Sequence, residues 1–339
     1  MHALELSAPR EFRLIEQPEP PPPGPGEALV RVHAVGICGT DLAAWQGKMP
    51  FVKYPRILGH ELGVEVIGVG EGVTSVKVGD RCSVEPYIDD PNSFASRKGR
   101  PNCCEKLEVL GVHRDGGMRR KIVVPARKLH PATKLLYEQL ALVETLAIGR
   151  HAVQRGQVAE DDVCLVIGAG PIGLAVLEFV RLSGAQMIVM DKCRPRLAFV
   201  RQMFQAVQTL EPSARTPDEL RSLAGGNLPS VVLDATGSPG SMSAAFSLVA
   251  HGGRLVYVGI TGEEIRFTHS DFHRREGTLV CTRNALPEDF SAIIGLIEGG
   301  RIDTRPWITH RTTLERLPAE FPQYLEPESG VVKAVVGVS

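Results

Sequence analysis

The chain has 339 residues, 43% of them hydrophobic and 23% charged, with a formal net charge of −1. That length exceeds what one core ordinarily organises and points to two domains of roughly 150 residues each. The balanced charge offers no field to gather nucleic acid or anionic lipid, so neither is an expected partner.

No apolar run approaches the roughly 20 residues that span a bilayer, and Met1 to Arg10 lacks a basic stretch followed by a signal-like apolar segment, so the expected location is the cytoplasm with no membrane partner. Seven scattered cysteines do not form a disulfide framework and leave metal binding or burial as their roles. The short basic clusters at 97–100, 119–121 and 273–275 read as solvated faces.

The proline-rich stretch 18–26 excludes helix and central strand and leads into a strand over Leu29 to Val35. Short β-like runs broken by glycine follow to about residue 130, among them Val64 to Gly70 and Val76 to Asp80, which describes a small irregular β-rich domain. The texture changes near residue 146. Val163 to Ile167 is a buried-strand run, and Ile172, Val176, Phe179 and Val180 recur at helical spacing before Gly184. A strand over Met187 to Met190, a helix from Pro195, a strand over Val231 to Leu233, a helix over Met242 to Val249 and a strand over Arg254 to Val258 follow. Alternating β and α units imply a parallel, doubly wound sheet. A helix over Phe290 to Ile297 precedes a β-like end at Val331 to Val338.

Gly168-Ala169-Gly170-Pro171-Ile172-Gly173 is a GxGxxG directly between a strand and a helix. Gly168 permits the tight turn, Gly170 the approach of a pyrophosphate, and Gly173 close packing of helix on strand. Asp191 ends the next strand, where a carboxylate accepts from ribose hydroxyls, so NAD is expected in preference to NADP. Lys192, Arg194 and Arg196 just beyond it supply basic groups at the same edge.

Three further segments are Gly36-Ile37-Cys38-Gly39-Thr40-Asp41, Gly59-His60-Glu61 and Val143-Glu144-Thr145-Leu146-Ala147. Together they resemble the zinc-containing medium-chain dehydrogenase/reductase family, and Asp234-Ala235-Thr236-Gly237 and Val258-Gly259-Ile260 extend the match over nearly the whole chain. Glu144 is similar to the sorbitol and threonine dehydrogenase branch, where the classical alcohol dehydrogenases carry cysteine. The resemblance implies an α/β fold. A GroES-like β-rich catalytic domain over 1–146 would be completed by 290–339, and a Rossmann coenzyme domain with a doubly wound parallel sheet would cover 147–289. It also implies a homodimer or homotetramer that exchanges hydride between NAD and a small alcohol/ketone substrate, a polyol or sugar acid.

A thiolate, an imidazole and a carboxylate suit one zinc with a tetrahedral position left open. Cys38, His60 and Glu144 are the expected ligands, while Glu61 replaces or assists Glu144 or acts from behind it. Side chains of adjacent residues on an extended strand point to opposite faces, which weighs against His60 and Glu61 together unless the turn at Gly59 and Gly63 removes the objection. Asp41 is the candidate to orient His60 through its second ring nitrogen. By resemblance Thr40 begins a proton relay whose usual next histidine is Ala43 here, and the family's glycine after the Glu-x pair is Val64. The four structural-zinc cysteines align to Asp90, Ser93, Ser96 and Cys104, so a second zinc is not expected and residues 88–105 need other contacts. Trp45, Phe51 and Tyr87 are candidates for a substrate pocket or for packing, and the Cys103-Cys104 pair reads as structural. Two other readings are a zinc-free quinone or enone reductase of the same superfamily and a non-catalytic NAD-binding protein.

Overall fold

The structure, a computed structural model, describes residues 1–338. The chain forms two compact units, Met1–Thr145 with the segment from Leu286 onward, and Leu146–Ala285, against expected limits at 146 and 290.

The first unit is built on the ten-residue strand Glu27–Gly36, which pairs antiparallel with Glu61–Val69, Lys121–Pro125 and the C-terminal strand Lys333–Gly337. The tail therefore returns to the first unit. Val30, Val32, Leu62, Val64, Val84, Ile122, Phe321 and Val336 share its core, and burial of each such side chain contributes about 1.5–3 kcal/mol. The expected β run at Val76 to Asp80 is instead a turn, in which the Lys77 N–H donates to Asp80 Oδ2 at 2.9 Å and Gly79 takes a φ of 92°. The helix Tyr137–Arg155 was not anticipated. Its residues 140–147 are all buried, so they lack the polar face that marks a surface helix.

The second unit holds six parallel strands, laid side by side as Gln208–Leu210, Gln186–Met190, Val163–Ile167, Val231–Asp234, Arg254–Tyr257 and Thr278–Cys281. Numbered along the chain they run 3-2-1-4-5-6, the doubly wound order whose strand reversal creates a nucleotide site. The helix Pro171–Ser183 follows the first strand and stops at Gly184 with a φ of 85°, a left-handed cap. The helix expected over Met242 to Val249 occupies Pro239–Ala245, and the short flanking strands Gln208–Leu210 and Thr278–Cys281 carried too few residues to read from pattern. Among the described residues no helix is long and apolar enough to cross a membrane.

Candidate metal and nucleotide sites

Cys38 precedes the short helix Gly39–Trp45, and its backbone N–H donates to Asp41 Oδ2 at 2.9 Å, which pins the loop that presents the thiol. His60 follows Gly59, whose φ of 97° lies in the left-handed region, and the strand begins only at Glu61. His60 is thus outside the extended run, and the opposite-face objection does not apply. One ligand atom from each of Cys38, His60 and Glu61 lies within 4.8 Å of the others. Glu144, expected as the third ligand, stands outside that trio of converging atoms. It is buried on the helix Tyr137–Arg155 and accepts a hydrogen bond from the Tyr87 hydroxyl.

Cys38 is half-buried, while the carboxylates and imidazole around it are buried. His60, Glu61, Asp41 and Glu144 are each 5% exposed or less. Gly36 leaves the space for Glu61: a Cβ there would collide with its carboxylate. Gly63, the displaced glycine, does the same for the backbone of Tyr137 at the start of the helix that carries Glu144. Glu61 Oε1 accepts from Lys333 Nζ at 2.5 Å and from Thr145 Oγ1 at 2.9 Å. Lys333 had no place in the sequence-based reading of the site.

Three buried atoms here have no hydrogen-bond partner: Asp41 Oδ1, His60 Nδ1 and Glu61 Oε2. His60 Nδ1 lies 3.8 Å from Asp41 Oδ1, too far to hydrogen-bond. Burial works against a charged His60, yet Cys38 and Asp41 lift its imidazole well above the ordinary value. Burial raises the Glu144 and Asp41 carboxyls. Burial also opposes a charged Lys333, and the Glu61 carboxylate outweighs it, holding the ammonium above its ordinary value. A soft thiolate, an imidazole and a carboxylate whose Glu61 Oε2 is buried without a hydrogen bond are a donor set that fits a zinc-like divalent cation.

The other candidates separate cleanly. Thr40 is half-buried two residues from Cys38. Trp45 is half-buried and packs against the core through Phe321, with ring centroids 5.8 Å apart, whereas Phe51 is 49% exposed. In the lobe at 88–105, the Asp90 N–H meets Cys104 Sγ at 3.4 Å, Ser93 Oγ bonds Ser96 Oγ at 2.9 Å, and Ser96 Oγ donates to Asp89 Oδ2 at 3.1 Å. Hydrogen bonds thus order the positions where zinc cysteines were missing.

In the second unit Gly168 has a φ of 99°, and a Cβ on Gly173 would collide with the Gly168 carbonyl. At Gly170, which caps the helix that begins Pro171-Ile172, a Cβ would meet nothing nearer than Arg196 Nη1 at 3.7 Å, so that backbone is open to an anion. Asp191 Oδ2 accepts from the Ala169 N–H at 2.6 Å and Oδ1 from the Cys193 N–H at 2.7 Å, which fixes the carboxylate against the glycine loop with lone pairs to spare. Arg194 is already engaged by both oxygens of Glu211, at 3.0 and 2.9 Å.

Residues 24–134 match the alcohol dehydrogenase GroES-like domain and residues 171–299 the zinc-binding dehydrogenase domain. The chain is 38% identical over 337 residues to an L-galactonate-5-dehydrogenase of Escherichia coli (strain K12), covering 99% of this chain and 98% of that one. It is 32% identical to a sorbitol dehydrogenase of Macaca fascicularis, covering 95% and 92%. An alcohol dehydrogenase from Escherichia coli CFT073, solved with NADH, superimposes with a TM-score of 0.91 at 29% identity over 99% of each chain. With the fold, the donor set and the glycine loop all in agreement, the chain belongs to the zinc-type alcohol dehydrogenases of the medium-chain dehydrogenase/reductase family.

Proposed function

We propose that the protein oxidises a secondary alcohol of a small polyol or sugar acid with NAD, using one zinc held by Cys38, His60 and Glu61, with Glu144 close behind as a further or exchanging ligand. The convergence of the Cys38, His60 and Glu61 donors within 4.8 Å carries this reading and supports Glu61 ahead of Glu144 as the third ligand. The names of the galactonate and sorbitol dehydrogenase relatives support the substrate class.

When bound, zinc supplies a Lewis acid that makes an alcohol hydroxyl acidic near neutrality, and NAD supplies the hydride acceptor. The remaining work falls to the chain. Asp41 fixes the Cys38 loop and faces His60, and Tyr87 holds Glu144 by a hydrogen bond. Thr40 Oγ1 relays the proton leaving the substrate hydroxyl, and since Ala43 has no group to receive it, the proton leaves by water, the ribose or another group. The open backbone at Gly170 and the N-terminus of the helix Pro171–Ser183 receive the pyrophosphate, Gly168 and Gly173 shape the turn and the close packing beneath it, and Asp191 accepts from the ribose and repels a 2′-phosphate. With Arg194 occupied by Glu211, Arg196 remains at the glycine loop as a pyrophosphate contact.

The test is NADH formation by zinc-loaded protein with a panel of polyols and sugar acids, each assayed with NAD and with NADP. Turnover with at least one member and a preference for NAD are expected. No turnover with any alcohol, or a preference for NADP, contradicts the proposal.

A further inference from the structure

Lys333 stands inside an otherwise apolar run, Val331-Val332-Lys333-Ala334-Val335-Val336, and is 1% exposed. Its strand is fastened beside the thiol loop, because the Ile37 N–H donates to the Ala334 carbonyl at 3.0 Å. From there its ammonium reaches Glu61, 272 residues away in sequence. An ammonium in such a setting persists only with a matched anion and good hydrogen bonds.

The contact divides the Glu61 carboxylate into two unlike oxygens. A carboxylate oxygen has two lone-pair sites. On Oε1 both are taken, by Lys333 Nζ at 2.5 Å and Thr145 Oγ1 at 2.9 Å. Oε2 has no hydrogen-bond partner. Lys333 also places a positive charge beside the donors that would receive a cation.

We infer that Lys333, helped by Thr145, is a positioning residue that withholds Glu61 Oε1 from the metal, confines Glu61 to coordination through one oxygen, and so keeps a coordination position open for substrate. This rests on the reading that Cys38, His60 and Glu61 hold the metal. The sign of the effect separates this role from ordinary support. A contact that merely orients a ligand strengthens metal binding, and its loss typically costs about 10–100-fold in metal affinity or activity. Loss of Lys333 instead frees a second carboxylate oxygen and removes a repelling charge, both of which tighten metal binding while filling the open position.

The experiment uses metal-free full-length protein reloaded with cobalt(II), comparing wild type, Lys333→Met and Lys333→Arg. Competition with a chromogenic chelator reads metal affinity, and the visible d–d spectrum reads coordination number. Lys333→Met is expected to hold cobalt at least as tightly as wild type, with shifted d–d bands, and to turn over about 10–100-fold more slowly; Lys333→Arg is expected to restore the wild-type spectrum. A Lys333→Met spectrum identical to wild type, or metal affinity reduced about 10–100-fold as for an orienting contact, overturns the inference. Wild type that binds no cobalt overturns the metal-site reading itself. Should Lys333→Met not fold, Thr145→Val removes the second donor to Oε1, and an unchanged spectrum and affinity there overturn the inference equally.

Discussion

The cluster around Cys38 and the lobe around Cys104 lie in the same unit, and each gathers carboxylate and sulfur groups, yet their hydrogen bonding is opposite. At the first, His60 Nδ1, Asp41 Oδ1 and Glu61 Oε2 are buried without a hydrogen bond, the first two facing each other at 3.8 Å. At the second, Asp89, Asp90, Ser93, Ser96 and Cys104 bond to one another and to Arg127 and Lys128. Buried polar groups are nearly always satisfied, so the open Glu61 Oε2 beside Cys38 and His60 marks a place for something else to complete, whereas the groups of the lobe already bond to one another. The difference teaches that metal-binding residue types are not enough: what distinguishes a site from a clasp is the bonds left unmade.

The largest expected effect breaks the first region. Glu61→Gln keeps the size of the side chain and a carbonyl for Lys333 but removes the anionic donor. It should lower zinc affinity beyond the about 10–100-fold cost of losing an outer contact, while Glu144→Gln stays within that range. Chelator competition on both variants measures this, and a greater loss in Glu144→Gln would return the third position to Glu144. A smaller effect is expected in the lobe. Ser96→Ala removes two hydrogen bonds and should cost about 1–3 kcal/mol of stability with no change in zinc content. Denaturant unfolding with elemental analysis checks it; loss of zinc would erase the contrast between the regions.

The smallest effect is a pH dependence. Burial would raise the Asp89 carboxyl, but the Lys128 and Arg127 contacts outweigh it and hold it at about 2, below its ordinary 3.8. Because the folded value is the lower one, the stability it contributes is present above pH about 4 and lost as the pH falls through about 2. The unfolding midpoint of Asp89→Asn should therefore change less than that of wild type across this window. Equal slopes would remove Asp89 from the clasp.

The contrast also shows what a sequence displays. Strands buried on both faces, such as Val163 to Ile167, and the glycine loop at 168–173 are local patterns and were legible, as were Cys38, His60, Glu61 and Glu144 as metal-binding types in familiar surroundings. Whether Glu61 could stand beside His60 was not, because it turns on the backbone at Gly59, which takes His60 out of the strand. Lys333 was missed although it left a signal: one cation in an apolar β run must find a buried anion. Which anion depends on pairing between the strands Lys333–Gly337 and Glu27–Gly36, a contact across most of the chain. The helix Tyr137–Arg155 was hidden for a related reason, since burial on all sides erases the periodicity by which helices are found.

The most direct test of the account is the metal count of the whole protein. Elemental analysis after zinc supplementation and removal of free metal should return one zinc per chain in wild type and none in a Cys38→Ser/His60→Ala double variant. Two zincs per chain in wild type, or one retained in the double variant, would contradict the assignment of the metal to Cys38, His60 and Glu61 and of the lobe to hydrogen bonds alone.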